Sequence, residues 1–238
     1  KMKICIFGNK LSTKKLINHL IKKNISIDCI VFLDEIVANK VDISGKYSEL
    51  SKFLDDHKIS YYKTINYSLK DKRDYNFFNL NNFDLGLCTG WQRLIPKKII
   101  KTFRYGIFGW HGSGFQFPNG RGRSPLNWSI RLGLKRIYHN CFRYSDGVDD
   151  GDIFETKLIF IKKNDYIDDL QNKALNHTLL SSEKLISAIK DKRLKLVKQT
   201  KHPYIKFPKL TEKSGKISPQ LMNCSSAINL IRSCSKPF

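Results

Sequence analysis

The strongest constraint on this chain is an alternation near its start. Short apolar runs are separated by stretches with helical spacing. Residues 3–8 (KICIFG), 27–33 (IDCIVFL) and 84–90 (DLGLCTG) are too short for helices and apolar enough for buried strands. Between the first two, residues 12–23 place Leu16, Ile17 and Leu20 on one helical face, with Ser12 or Thr13 expected as N-cap. A helix is expected over 46–57, a short strand over 59–62, a polar connector to Asp84, a helix over 95–103 with Pro96 in its first turn, and a strand over 105–110. Strands alternating with helices predict an α/β fold with a largely parallel sheet, and in such sheets ligands gather at the carboxyl ends of the strands. Further along, the pattern predicts a helix over 124–133, strands over 137–144 and 153–161, and a long helix over 166–190. After about 195 a stretch with three prolines reads as an extended segment, followed by a helix over 220–234. The expected division is a catalytic domain over 1–195 and a linker with a C-terminal helix over 196–238.

A chain of 238 residues forms one large domain or two small ones. Lys plus Arg number 43 against 21 for Asp plus Glu, a net charge of +22, which attracts phosphate-bearing ligands. The lysines are spread along the chain among many Asn and Ile, so compositional bias stands beside a polyanionic partner as an explanation. No run of about 18 apolar residues is present, which argues against a membrane-spanning helix. The first residues do not have the form of a signal peptide, so the expected location is the cytoplasm. The six cysteines form no CxxC pair, and Cys5, Cys29 and Cys88 lie within strand-like runs. They read as reduced, packed thiols, and no Cys/His spacing matches a zinc site, so no metal is expected.

Chemistry-bearing residues concentrate between 86 and 153. The first strand ends in Gly8-Asn9-Lys10 without a GxGxxG, so the dinucleotide fingerprint is absent, as is a Walker sequence. The dense stretch instead carries Gly90-Trp91-Gln92-Arg93-Leu94, then Gly109-Trp110-His111-Gly112-Ser113, then Phe117-Pro118-Asn119-Gly120-Arg121-Gly122-Arg123-Ser124-Pro125, and finally Asp146-Gly147-Val148-Asp149-Asp150-Gly151-Asp152. Glycine at this density marks tight turns and close backbone approach. A His expected to close a strand and a carboxylate cluster in a later loop are a candidate acid–base pair.

The ordered set His111, Phe117-Pro118, Arg121-Gly122, Pro125 and Asp149-Asp150-Gly151 resembles the folate-dependent formyltransferases. That family includes methionyl-tRNA formyltransferase, glycinamide ribonucleotide formyltransferase and the nucleotide-amino-sugar N-formyltransferases. The resemblance covers roughly 80–238, and more loosely the first strand and helix. It implies a Rossmann-like sheet, formyl transfer from N10-formyltetrahydrofolate, and His111 and Asp149 as the catalytic pair. It also implies a folate site at Trp91, Gln92, Arg93, Leu94, Asp146 and Gly147. GRGRSPLNW looks closer to the amino-sugar branch, which implies a nucleotide-linked amino-deoxysugar as acceptor and a role in lipopolysaccharide or glycan synthesis. Gly8, Asn9, Lys10, Ser113, Arg121 and Arg123 would then bind the acceptor, the guanidinium groups matching phosphate. Transfer to methionyl-tRNA is the alternative, with nucleic acid as partner in that case only; no membrane is expected, and a homodimer is possible.

One residue departs from the pattern. The family's Asn two positions before the His is Gly109 here. Losing one oxyanion donor typically costs about 3 kcal/mol. Either another group supplies it, Asn119, Asn127 and Asn140 being near in sequence, or the enzyme is slow, or the chain is a catalytically weakened folate- or nucleotide-binding relative.

Overall fold

The computed structural model describes residues 1–34, 38, 49–200 and 203–235. Among them runs a seven-stranded sheet of order β3-β2-β1-β4-β5-β7-β8. Its strands are β1 (Ile4–Phe7), β2 (Cys29–Leu33), β3 (Tyr61–Thr64), β4 (Leu85–Cys88), β5 (Ile107–Ser113), β7 (Arg136–Arg143) and β8 (Ile153–Phe160). The pairs β1–β2, β2–β3, β1–β4 and β4–β5 are parallel, and β7–β8 is antiparallel. A separate two-stranded ladder joins β6 (Arg121–Gly122) to β9 (Lys206–Phe207). The helices are α1 (Leu11–Lys22), α2 (Leu50–Asp56), α3 (Lys72–Asn81), α4 (Lys97–Ile100), α5 (Pro125–Arg131), α6 (Ile167–Lys190) and α7 (Cys224–Ser233).

The chain divides into two compact units. The first takes in residues 1–109, 143–147 and 179–195. Every residue of β1, β2 and β4 is buried, as parallel strands covered on both faces must be. Their apolar side chains meet an aromatic cluster in which Phe7 stacks on Phe78 at 5.4 Å and packs against Trp91 and Phe103. The second unit takes in residues 110–142, 148–178 and 196–238. Its core joins Ile130, Ile137, Ile159, Ile161, Ile167 and Leu170.

Several expectations are corrected. Helix α1 is capped at Lys10, not at Ser12 or Thr13, because the Thr13 hydroxyl reaches back to accept the Lys10 amide and then donates to the Thr89 carbonyl. Helix α4 is a single turn opened by Pro96, where a helix over 95–103 is expected. The polar connector before Asp84 contains α3, opened by the Asp71 carboxylate accepting from the Arg73 amide. Residues 46–48 of the expected helix over 46–57 lie outside the described residues. Strand β5 continues to Ser113, so His111 sits inside a strand and does not close one.

Candidate active site

In the second unit, His111 is buried on β5 with only 7 % of its side chain exposed. Its Nδ1 lies 3.4 Å from Asp149 Oδ2, and its Nε2 lies 2.8 Å from the Gly120 carbonyl. A carbonyl oxygen can only accept, so Nε2 carries a proton. A ring protonated on Nδ1 as well satisfies both acceptors. Phe117 stacks on the ring at 5.2 Å, and Asn140 Nδ2 donates to the His111 carbonyl at 3.4 Å. The imidazole is thus held by a carbonyl, a carboxylate, a ring and its own backbone. Asp149 is 23 % exposed, and its backbone is left-handed at φ +53°. The Gly122 amide points at the same carboxylate oxygen at 3.5 Å.

Local sequence explains this geometry. Gly120, at φ +74°, permits the turn that aims its carbonyl at the ring; a Cβ there would lie 1.9 Å from Ser113 Oγ. Ser113 itself is fully buried, and its hydroxyl accepts from the Phe115 amide. Arg121 is also buried; it lies 4.4 Å over the Tyr204 ring and donates to Gln199 at 2.5 Å, and its Nε has no partner among the described residues. Arg123 is exposed. Of the expected phosphate contacts on this loop, Arg123 therefore faces solvent, and Arg121 is built into the wall.

The remaining expected site residues fall in the first unit. Trp91 is buried in the aromatic core between Phe7 and Tyr67, its Nε1 without a partner among the described residues. The Gln92 amide donates to the Tyr67 hydroxyl at 2.8 Å, Arg93 lies over the Tyr67 ring, and Leu94 is 61 % exposed. Asp146 pairs with Lys97 at the start of α4, and Gly147 follows it, half-buried. The two loops expected at the folate site, 90–94 and 146–147, therefore lie in one unit. At the end of β1, a Cβ on Gly8 would lie 2.0 Å from the Thr89 carbonyl, so only glycine fits. Asn9 is buried; its Oδ1 accepts from the Leu33 amide at 2.7 Å, and its Nδ2 has no partner among the described residues. Lys10 begins α1 as its N-cap.

Gly109 has a steric cause. A Cβ there would lie 2.4 Å from the Tyr144 hydroxyl and 2.3 Å from a carbon of its ring. The phenol fills the space of the missing side chain and hydrogen-bonds to Cys88, whose thiol burial pushes up to about 12. The three nearby Asn side chains serve the fold. Asn119 accepts from the Ile205 amide, Asn127 donates to the Ser233 carbonyl, and Asn140 spans the His111 and Tyr138 carbonyls while accepting from Thr156. Gln199 and Tyr144 take their roles from long-range contacts that leave no local motif. Among the described residues, no cluster of three His, Cys, Asp or Glu side chains has the geometry to hold a metal, and no helix is long and apolar enough to cross a membrane.

Comparison with known proteins matches residues 1–184 to the family described as formyl transferase. A methionyl-tRNA formyltransferase of Rickettsia felis is 26% identical over 206 residues, covering 86% of this chain and 64% of that protein. The chain thus spans less than two thirds of that relative's length. Among solved structures, an N-formyltransferase from Helicobacter canadensis, in complex with folinic acid and dTDP-3-aminofucose, superposes with a TM-score of 0.68 at 16% identity, covering 98% of this chain and 80% of that one. A sugar N-formyltransferase from Shewanella gives a TM-score of 0.71 at 15% identity, covering 100% and 90%. At these identities the likeness is one of fold.

Proposed function

The chain belongs to the formyl transferase family, and from this we propose that it moves a formyl group from N10-formyltetrahydrofolate to the amine of a nucleotide-linked amino-deoxysugar. The observation that carries the reading is the 3.4 Å approach of His111 Nδ1 to Asp149 within a chain that matches the family over residues 1–184. Formyl transfer needs three things from the protein. Negative charge building on the formyl oxygen needs a donor, the attacking amine must lose a proton, and the departing N10 must gain one. His111 offers the Nε2 proton it now gives to Gly120, and Asp149 balances the charge on the ring. The bond from the formyl carbon to the acceptor nitrogen forms, the bond to N10 breaks, and the amine proton ends on N10.

The donor is assigned to the loops at 90–94 and 146–147. The exposed Leu94 and the Arg93 guanidinium suit a heteroaromatic ligand with a carboxylate tail. For the acceptor, the exposed Arg123 guanidinium suits phosphate oxygens. Support for the sugar comes from the fold shared with the Helicobacter canadensis and Shewanella enzymes over nearly the whole of this chain.

The test incubates the purified protein with labelled N10-formyltetrahydrofolate and, in parallel, dTDP-linked amino sugars and methionyl-tRNA. Label is expected in the sugar. Label only in tRNA would overturn the acceptor but keep the reaction class, and label in neither would overturn the reading.

A further inference from the structure

The loop that carries Asp149 is held by a side chain from a later segment, Gln199. Gln199 Nε2 donates one hydrogen to the Asp149 carbonyl at 2.9 Å and the other to the Gly151 carbonyl at 2.8 Å. Its Oε1 accepts from Arg121 Nη2 at 2.5 Å. Both hydrogens of the amide are therefore spent on the two carbonyls flanking residue 150. The base of this clamp is itself fixed. Val197, two residues before Gln199, pairs antiparallel with Ile153 through two backbone hydrogen bonds of 2.7 and 2.8 Å. The far end is fixed too, since the buried Arg121 lies over Tyr204 and within 5.9 Å of Phe117, the ring stacked on His111.

The held residue needs holding. Asp149 has φ +53°, a conformation that costs a residue with a Cβ roughly 1–2 kcal/mol. Left to itself, the backbone would relax toward negative φ and swing the carboxylate away from the ring. Besides the contact with His111 and the long one from the Gly122 amide, the hydrogen bonds from Gln199 oppose this.

We propose that Gln199 is a positioning residue. By pinning the carbonyls of Asp149 and Gly151, it keeps the Asp149 carboxylate on His111. This rests on the reading of His111 and Asp149 as the catalytic pair. It also makes the segment after residue 195 part of the working site, since the clamp is delivered from there.

Two substitutions separate positioning from plain structural support. Gln199→Glu keeps the length and the acceptor for Arg121 but has no hydrogens to give the two carbonyls, while Gln199→Ala removes both ends. Under the proposal, both lower kcat for formyl transfer about 10- to 100-fold, the range expected when a reacting group is misplaced by around 1 Å. KM for donor and acceptor stays within about twofold of wild type, and the melting temperature changes little. A second readout does not need activity. The ring 15N shifts of His111, assigned by their loss in His111→Asn, should move in Gln199→Glu toward those of Asp149→Asn.

Wild-type kcat or unmoved ring shifts in Gln199→Glu would overturn the proposal, because the Arg121 contact alone would then suffice. Loss of folded protein in Gln199→Glu would also overturn it, making the residue a structural one. If the wild-type protein transfers no formyl group, the functional reading fails, and the ring shifts still decide whether Gln199 holds Asp149 on His111.

Discussion

The two faces of strand β5 handle imidazole in opposite ways. Side chains alternate along a strand, so His111 shares a face with positions 109 and 113, while Gly112 opens onto the other. On the first face His111 meets a partly exposed carboxylate and a carbonyl. On the second, a Cβ at Gly112 would lie 2.7 Å from the ring of His139, which is buried against His177 with their Nδ1 atoms 2.7 Å apart. His177 Nε2 in turn lies 3.3 Å from Glu155. Both arrangements join imidazole to carboxylate, yet they are suited to different work. His111 touches an acid that is partly open to solvent. His139 faces another imidazole, that of His177, and burial, helped by the charges of His177 and His111, holds its pKa well below the ordinary 6.5. Under the proposed reading, what separates the two histidines is not residue type but contact with a partly exposed carboxylate.

The largest difference expected between the two faces is in activity. His111→Asn and Asp149→Asn should each lower turnover about 100-fold or more, the scale of general acid–base catalysis. His139→Gln, on the other face, should leave turnover at neutral pH close to wild type. Steady-state rates for the three purified variants check this. A His139→Gln loss as large as that of His111→Asn would mean that the two faces do not divide the labour as described.

The next test is steric and concerns the position that shares the His111 face. Gly109→Ala should push the Tyr144 ring aside and cost about 1–3 kcal/mol, as overpacked positions do. In a Tyr144→Ala background the same substitution should cost much less. Urea unfolding of the four proteins in this cycle gives the coupling between the two positions. No coupling would mean that the phenol is not what keeps residue 109 a glycine.

These contrasts also explain what the sequence made legible. The strands β1, β2 and β4 are covered on both faces, so burial writes them as continuous apolar runs, and their order of appearance alone points to a parallel α/β sheet. Helix α3 escaped because KRDYNFFNLN is mostly polar, with Phe78 as its fully buried apolar contribution, and the Asp71 cap is a weak signal alone. The ladder of β6 and β9 is two residues long and non-local, beneath any pattern of alternation. In the site, His111 and Asp149 stand out because glycines crowd around both. Gln199 carries no such mark. It acts on Asp149 across 50 residues, and what places it is the Ile153–Val197 pairing, a property of the fold and not of the residues beside it. Gly109 reads from sequence as a missing donor, and only the Tyr144 ring shows why a side chain does not fit there.

The smallest effect, a fraction of the folding energy, separates the two faces by pH. His139 has its pKa lowered in the folded protein, so in the window below about 6.5 the unfolded chain binds a proton that the folded one refuses. Stability contributed by the neutral ring is therefore present above that window and is lost as pH falls into it, by up to about 1.4 kcal/mol per pH unit. His139→Gln cannot take up that proton in either state. At neutral pH the variant should be less stable by about 1 kcal/mol, for its lost hydrogen bond to His177. Between about pH 6.5 and 5 its stability should fall less steeply than that of wild type. Urea midpoints at a series of pH values give both slopes. If the two curves run parallel, His139 takes up its proton as readily in the fold as outside it, and the second face of β5 is not closed in the way its geometry implies.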